Sequence, residues 1–156
     1  MIGSFVFSET SPAAAGTAVS SQSVQSSSLG GIAWPVDDWE ALDVAAEIQG
    51  ATGGSLDVYL QGSPDSGANW YDMIHWATAS GGGSLKYYKS PLSLATTTTA
   101  PTQVGKNLSP ALAAGTVING AFTDRLRLAM VAGSGTSAGA AVIVRVGPQR
   151  PRSNIP

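Results

Sequence analysis

The chain has no cysteine, a single histidine and few charged residues, and each shortage excludes a class of function. Without cysteine there is no disulfide framework and no thiolate metal site. Charged residues make up 12% of the 156 residues, against roughly 25% in an average soluble domain. The net charge of −2 gives the whole protein no electrostatic attraction to nucleic acid. We therefore expect no thiolate chemistry and no nucleic-acid partner.

The chain also has no lysine or arginine before Lys86. Nine of its ten acidic residues lie at or before Asp72, and the exception is Asp124. The first half therefore carries a charge near −9, and the second half a charge near +7 from eight bases and one acid. Two explanations remain open. Either the halves interleave in one fold and their charges cancel, or opposite patches meet between neighbouring subunits, where complementary fields set the register.

There is no apolar run that fits a membrane span. The uncharged stretch at residues 128–144 is 17 residues long, short of the roughly 20 needed, and its middle is rich in glycine. Two strands joined by a loop explain it better. Residues 1–10 contain no cationic segment and no long apolar core, so we expect no secretory signal and no membrane partner.

What the chain does contain is alternation of apolar and polar residues, the period of a strand that buries one face. The clearest run holds Leu56, Val58 and Leu60, and a second run follows at residues 70–76. Residues 39–49 also suit a helix, because Ala, Glu and Leu favour one, but their alternation favours a strand. With about eight or nine such strands and Gly-rich turns, the sequence predicts an all-β fold, an antiparallel β-sandwich or jelly roll with extended terminal arms.

The predicted organisation is one sandwich with loose ends. Residues 1–16 form an N-terminal arm or short strand, residues 17–146 the sandwich, and residues 147–156 a basic, proline-rich C-terminal tail. The sandwich includes a long loop at residues 90–115, which we expect to lie as an extended segment on another subunit. The candidate partner-contact residues lie in the two ends: Phe5, Phe7, Arg150, Arg152 and Ile155.

No arrangement of residues indicates catalysis, a metal or a cofactor, and we predict that the protein is not an enzyme. His75 lies in an alternating run and is expected to be a half-exposed strand histidine, since no nucleophile motif accompanies it. Asp57 and Asp72 lie on neighbouring predicted strands and could approach each other as paired carboxylates would. The alternation nevertheless places Asp57 on the outer face, which favours a solvated side chain.

Other polar and aromatic residues have open interpretations. The acidic loop at residues 37–40 is expected to be solvated, with a calcium site as the alternative. Trp34 and Trp39 are candidates for an interface or for a sugar platform, since aromatic rings serve both. Arg125 and Arg127 are expected to point outward, because they alternate with apolar residues that face the core.

The turn between the two clearest strands has a recognisable pattern. Ser63-x-Asp65-x-Gly67-x-Asn69-Trp70 resembles the Asp-box, S-x-D-x-G-x-T-W, with asparagine in place of threonine. In that family the motif is a β-hairpin staple on the surface of propellers and sandwiches. The resemblance implies that Ser63, Asp65 and Gly67 form a structural turn with Trp70 packed beneath it. A sugar-binding loop is the alternative.

A longer stretch around this turn resembles small β-rich virion proteins of tailed bacteriophages, in which a hairpin similar to LDVxLQxSxDGGxxWxDI recurs. The stretch covers residues 56–72 and departs from that pattern at Ser66, where a second glycine is common. The matching residues are Leu56, Asp57, Val58, Leu60, Gln61, Ser63, Asp65, Gly67, Trp70 and Asp72.

The resemblance implies a structural protein of the virion, assembled in the host cytoplasm, rather than an enzyme. The first hypothesis is a capsid decoration (cement) protein that stabilises the shell through contacts of its sandwich and its arms. Its expected partners are other virion proteins, the major capsid protein first, and further copies of itself, with a trimer favoured. A neck or tail component and a carbohydrate-binding β-sandwich module are the alternatives.

Overall fold

The computed structural model of the protein describes eleven segments of the chain: residues 5–10, 18–21, 41–49, 55–65, 67–76, 79–80, 85–93, 104–107, 109–119, 125–132 and 141–149. All regular secondary structure in these segments is β-strand, and none of them contains a helix that could span a membrane. The strands are β1 (Phe5–Thr10), β2 (Ala18–Ser21), β3 (Ala41–Gln49), β4 (Ser55–Ser63), β5 (Tyr71–His75), β6 (Ala79–Ser80), β7 (Leu85–Ser93), β8 (Thr116–Val117), β9 (Arg125–Ala132) and β10 (Ala141–Gln149).

These strands form two antiparallel sheets. The four-stranded sheet has the order β1-β10-β3-β7, and the six-stranded sheet has the order β2-β9-β4-β5-β8, with β6 paired to β4. With the two-residue strands β6 and β8 set aside, the first strand pairs with the eighth, the second with the seventh, the third with the sixth and the fourth with the fifth. This is the wrapped strand order of a jelly roll. The all-β prediction is confirmed, and the structure supplies the strand order that the sequence did not reveal.

The core lies between the two sheets, and period-two alternation explains which residues enter it. In β3, Val44, Ala46 and Ile48 are buried, while Asp43 and Glu47 stay partly exposed. The strand interpretation of this segment is confirmed and the helix alternative is wrong. The core side chains that are at most 2% exposed come from both sheets: Val44, Ala46, Ile48, Leu56, Val58, Leu60, Ile74, Trp76, Leu128, Met130, Val142, Val144 and Val146.

The hairpin of β4 and β5 contains a β-bulge that changes the phase of β5. Leu60 lies opposite Ile74, whereas the next residue, Gln61, lies opposite Asp72. Met73 is therefore an extra residue on β5, inserted between two consecutive residue pairs of the hairpin ladder. Because side chains alternate between faces, one inserted residue reverses the face for everything on one side of it.

The bulge and the cover over this sheet change what strict alternation gives for Asp72 and for His75. Simple alternation places Asp72 on the opposite face from His75, but the bulge brings both to the outer face of the six-stranded sheet. His75 is also only 5% exposed rather than half-exposed. The reason is that this outer face is covered by another part of the chain.

The covering part is residues 104–119, of which the structure describes all but residue 108. The expectation for the loop at residues 90–115 is therefore wrong from residue 104 onward, because this part lies on the chain's own sheet rather than on another subunit. Residues 94–103 of that loop lie outside the described residues. Leu112 packs there against Tyr59 and Ala129 in a second, smaller apolar cluster on the outer face. The backbone N–H of Ile118 donates to the carbonyl of Met73. The first residues of the expected loop also belong to β7, which continues to Ser93.

The first and the last described strands both belong to the four-stranded sheet. In β1, Phe5 and Phe7 lie opposite Val146 and Val144 of β10. The expected tail begins too early, because β10 continues to Gln149 and pairs with β3 along that length. Pro148 of β10 is tolerated because the pairing with β1 ends at Val146. Beyond that residue, β3 is the one described strand that pairs with β10.

Candidate functional site

The outer face of the six-stranded sheet gathers most of the buried polar side chains of the described segments. We call this group the polar cluster, and it lies beneath residues 104–119. Strands β4, β5 and β9 supply its members through the alternation and the bulge described above. They are the buried residues Tyr59, Gln61, Asp72, His75 and Arg127 and the partly exposed Asp57.

Asp72 is the centre of the polar cluster and is only 2% exposed. Its Oδ2 accepts hydrogen bonds from the backbone N–H groups of Gly105, Ala111 and Leu112, at 3.0, 2.8 and 3.0 Å. Its Oδ1 accepts a hydrogen bond of 2.8 Å from the side-chain amide of Gln61. A carboxylate that accepts several N–H bonds is strongly held and leaves little acceptor capacity for a ligand. Asp72 therefore fixes the covering segment to the sheet.

Gln61 connects Asp72 to the buried Arg127 through hydrogen bonds. Its Nε2 donates to the carbonyl of Asn107 as well as to Asp72, and its Oε1 accepts from Arg127 Nε at 2.9 Å. The guanidinium Cζ of Arg127 lies 4.5 Å from the centre of the Trp70 ring, a cation–π contact. Burial lowers the pKa of Arg127, while the charge of Asp72 acts in the opposite direction.

Arg127 corrects the expectation that this residue points into solvent. The direction of its side chain was predicted correctly as outward from the core, but it is only 6% exposed because the hairpin tip and residues 104–119 cover it. Its Nη2 has no hydrogen-bond partner in the described part of the chain. The ring of Trp70 supplies the compensating contact.

His75 joins the same segment at a second point. Its Nδ1 lies 2.6 Å from the carbonyl oxygen of Leu112, and because a carbonyl only accepts, Nδ1 carries the proton. Its Nε2 lies 3.3 Å from Asp57 Oδ1, a contact that becomes an ion pair when the ring is protonated. The ring stacks on Tyr59 with centroids 4.0 Å apart. Both ring nitrogens thus face groups of the protein itself.

Tyr59 has the clearest change in acidity. Burial, followed by the nearby charges of Asp57 and Asp72, raises its pKa from 10.0 to about 12. The folded protein therefore holds this phenol proton more tightly than the unfolded chain does.

This shift predicts a loss of stability at high pH. Below pH 10 the folded and unfolded states both keep the Tyr59 proton, so the full contribution of Tyr59 to the free energy of unfolding is present. As the pH rises from 10.0 to about 12, the unfolded chain releases this proton first, and the free energy of unfolding falls. Tyr59→Phe should remove this part of the fall, which amounts to at most about 3 kcal/mol. The measurement is urea unfolding from pH 9 to pH 12. Equal slopes for wild type and Tyr59→Phe would contradict the assignment.

The turn at the tip of the hairpin is held by its own residues. Ser63 Oγ accepts from the N–H of Gly67 at 2.8 Å and donates to Asp65 Oδ1 at 2.9 Å. Gly67 has a φ of 95°, a conformation that a side chain would strain. Hydrogen bonds from the side chain and the backbone of Asn69 lower the pKa of Asp65. These bonds lie within the turn, in keeping with the structural role implied by the motif.

The other candidate residues divide into two groups. Trp70, the last residue of the motif, contacts Arg127 through its ring and donates its backbone N–H to Asn107 Oδ1 at 3.0 Å. The remaining partner-contact, acidic-loop and aromatic candidates lie outside the described residues: Trp34, Trp39, residues 37–40, Arg150, Arg152 and Ile155. Sequence reasoning did not single out Gly105 or Asn107. Their one signal is a glycine followed by an asparagine two positions later in the expected loop, and Asn107 does adopt a positive φ of 55°.

The arrangement of the polar cluster suits a structural task. No group of three histidine, aspartate or glutamate side chains in the described segments is placed to hold a metal ion. Asp72, Gln61 and both nitrogens of His75 are all engaged with neighbouring groups of the chain. The cluster thus converts what looks like a loop in the sequence into a fixed third layer over one sheet.

Comparisons with known proteins identify no family. Neither the protein-family models, nor the curated proteins, nor the solved structures contain a match to this chain.

Proposed function

We propose that this protein is a structural virion protein of a tailed bacteriophage and that it decorates the capsid shell. The observation that carries the proposal is the jelly-roll strand order, because this architecture recurs in viral capsid proteins. Lectin domains and cupins use it as well. The hairpin at residues 56–72, with its resemblance to phage virion proteins, favours the virion role among these.

The polar cluster supports a structural role over a chemical one. Its hydrogen bonds join three strands and the covering segment into one rigid unit. The carboxylate of Asp72, which could otherwise accept hydrogen bonds from a ligand, accepts them from N–H groups of the chain itself. A decoration protein needs such stiffness, because an adhesive subunit strengthens a shell only as far as it resists deformation. In this proposal the partner is the major capsid protein, and further copies of the chain complete the assembly.

The opposite charges of the two halves fit one fold rather than two patches where the structure describes them. Lys89 of β7 lies 3.3 Å from Asp43 of β3, and Arg145 of β10 contacts Glu47 of β3. Each pair joins a base from the second half to an acid from the first. These exposed pairs contribute little to stability, on the order of 0–1 kcal/mol each, but they remove like-charge repulsion from the open face of the four-stranded sheet.

The test is binding of the purified full chain to expanded, undecorated capsids of a tailed phage that encodes it. A decoration protein binds at a fixed number of copies per capsid and raises the capsid melting temperature. A neck or tail component instead occurs in a few copies per particle and leaves the melting temperature unchanged. Failure to bind any part of the particle would overturn the proposal.

The carbohydrate-binding alternative makes a different prediction for the same protein. A sugar-binding module gives a glycan affinity that falls when Trp34, Trp39 or Trp70 is replaced by alanine. The role of the tail is tested by a chain that ends at Gln149, since β10 continues to that residue. In the decoration proposal this truncated chain stays folded and binds capsids more weakly, because Arg150, Arg152 and Ile155 are lost.

A further inference from the structure

Strand β7 is the open edge of the four-stranded sheet. It pairs with β3 along its whole length, from Leu85 opposite Gln49 to Ser93 opposite Ala41. No described strand pairs with its other edge. Such an edge is a template for an added strand unless something blocks it.

The exposed apolar side chains of the described segments concentrate on this strand. Three large hydrophobic residues of the described segments are exposed, and two of them, Leu85 at 45% and Tyr87 at 72%, belong to β7. The third, Tyr71, is 36% exposed and lies on the other sheet. Leu85 and Tyr87 are two residues apart and therefore share the outer face of the four-stranded sheet. Tyrosine is enriched among the residues that carry most of the binding energy of interfaces.

Pro91 sets the direction of the backbone groups of β7. It lies opposite Asp43 in the pairing of β7 with β3. A proline has no N–H to donate, so within a sheet its nitrogen faces away from the paired strand, here β3. Backbone groups alternate in direction along a strand. Leu85, Tyr87 and Lys89 therefore share the phase of Pro91, and their N–H and C=O groups point away from β3.

We propose that a second copy of this chain adds its own β7 antiparallel to this edge, with the two-fold axis at Tyr87. Tyr87 then lies opposite Tyr87 of the second copy, and Leu85 lies opposite its Lys89. The pairing uses all three outward donors of each strand and ends at Pro91, which has none to offer. The two four-stranded sheets become one continuous sheet of eight strands.

The two lysines and the proline of β7 favour this register over those with the two-fold axis at a nearby residue. An axis at Lys86 or at Lys89 places two ammonium groups directly opposite each other, which is destabilising. An axis at Tyr88 places Leu85 opposite Pro91, where a donor is missing. With the axis at Tyr87 no two lysines are opposed, and Lys89 keeps its contact with Asp43 at 3.3 Å. A two-fold contact also closes on itself, so it yields a dimer rather than a fibre.

The absence of cysteine makes the test direct. Directly opposite residues of a hydrogen-bonded antiparallel pair have Cα atoms about 5.5 Å apart, within the range that a disulfide spans. Tyr87→Cys in the full chain should therefore form a disulfide-linked dimer under mild oxidation, at least tenfold faster than Tyr71→Cys under the same conditions. Equal rates for the two variants would overturn the two-fold axis.

Sedimentation of the unmodified chain supplies an independent measurement. We expect a concentration-dependent dimer that Tyr87→Glu weakens at least tenfold, because two carboxylates then meet at the axis, whereas Tyr71→Glu leaves association unchanged. A monomer at all concentrations overturns the inference, and so does a trimer that Tyr87→Glu does not affect. The inference does not rest on the virion role: capsid binding by a chain that stays monomeric contradicts the edge contact alone.

Discussion

Replacing Asp72 by alanine is expected to lower the free energy of unfolding by about 3–5 kcal/mol, the largest effect of any single substitution proposed for this protein. Four hydrogen bonds end on this carboxylate, and three of their donors are backbone N–H groups of residues 105, 111 and 112. The substitution leaves these donors buried without an acceptor. Each such donor costs roughly 1–3 kcal/mol, less whatever water recovers by entering.

The matched control is another aspartate on a sheet. Asp43 makes an ion pair with Lys89 on the exposed face of the four-stranded sheet, so Asp43→Ala should cost less than about 1 kcal/mol. Asp72→Asn should fall between the two, because it keeps the shape and one acceptor oxygen while placing an N–H₂ group against backbone donors. Urea unfolding measures all three variants. Equal losses for Asp72→Ala and Asp43→Ala would contradict the central position of Asp72.

Loss of Asp72 should also free the covering segment before the sandwich unfolds. The apolar contacts of residues 104–119 with the sandwich are those of Leu112, Val104 and Ile118 in the small cluster with Tyr59 and Ala129, and those of Val117 with the main core. Local opening of such a segment costs less than global unfolding. We therefore expect proteolytic cleavage within this segment under native conditions in Asp72→Ala, while the strands of the sandwich core stay protected. Resistance equal to that of the wild type would contradict the proposed lock.

The part of the fold that follows from local periodicity could be predicted from the sequence. The runs around Val44 and Val58 alternate cleanly, so their strands and their buried faces were identified correctly. The helix-favouring composition of β3 did not prevail, because burial of one face between neighbouring strands outweighs a propensity of a few tenths of a kcal/mol per residue.

The site could not be predicted, because its position depends on one irregularity and one long-range contact. The bulge at Met73 reverses the phase of β5, and no residue there marks it. Alternation alone therefore puts Asp72 in the core and His75 half in solvent. The covering segment then buries the outer face, and nothing local predicts that its N–H groups meet a carboxylate more than 30 positions earlier in the chain.

The sequence shows that the outer face of the six-stranded sheet carries polar residues, but alternation predicts that this face is exposed to solvent. Tyr59, Gln61 and Arg127 occupy positions that alternate with core residues, and polar residues there usually face water. Here they face the chain itself, as three layers rather than two.

The second large effect is expected at Gly105, where alanine should cost about 3 kcal/mol or more. A Cβ at this position would lie 2.5 Å from both Asp72 Oδ2 and Pro110 Cα and would overlap the backbone nitrogen of Ala111. All three are fixed: one is the buried carboxylate and the others belong to the backbone. The segment must therefore move away from the sheet and lose the hydrogen bonds to Asp72.

Two glycine controls separate this close approach from ordinary effects of a methyl group. Gly147→Ala places its Cβ no closer than 3.7 Å to any neighbour and should cost less than about 1 kcal/mol. Gly115→Ala meets no atom within 4 Å but has a φ of +75°, so backbone strain alone should cost about 1–2 kcal/mol. If Gly105→Ala costs no more than Gly115→Ala, the close contact with Asp72 does not exist in solution.

The double variant decides whether Gly105 and Asp72 act on one structure. Both substitutions release the same segment, so the combined loss in Gly105→Ala with Asp72→Ala should fall short of the sum of the single losses by at least about 1 kcal/mol. Gly147→Ala with Asp72→Ala should add fully, because these residues lie on different sheets. Additive losses in the first pair would mean that the covering segment is not held as one unit by this carboxylate, and the view of the polar cluster as a structural lock would then fail.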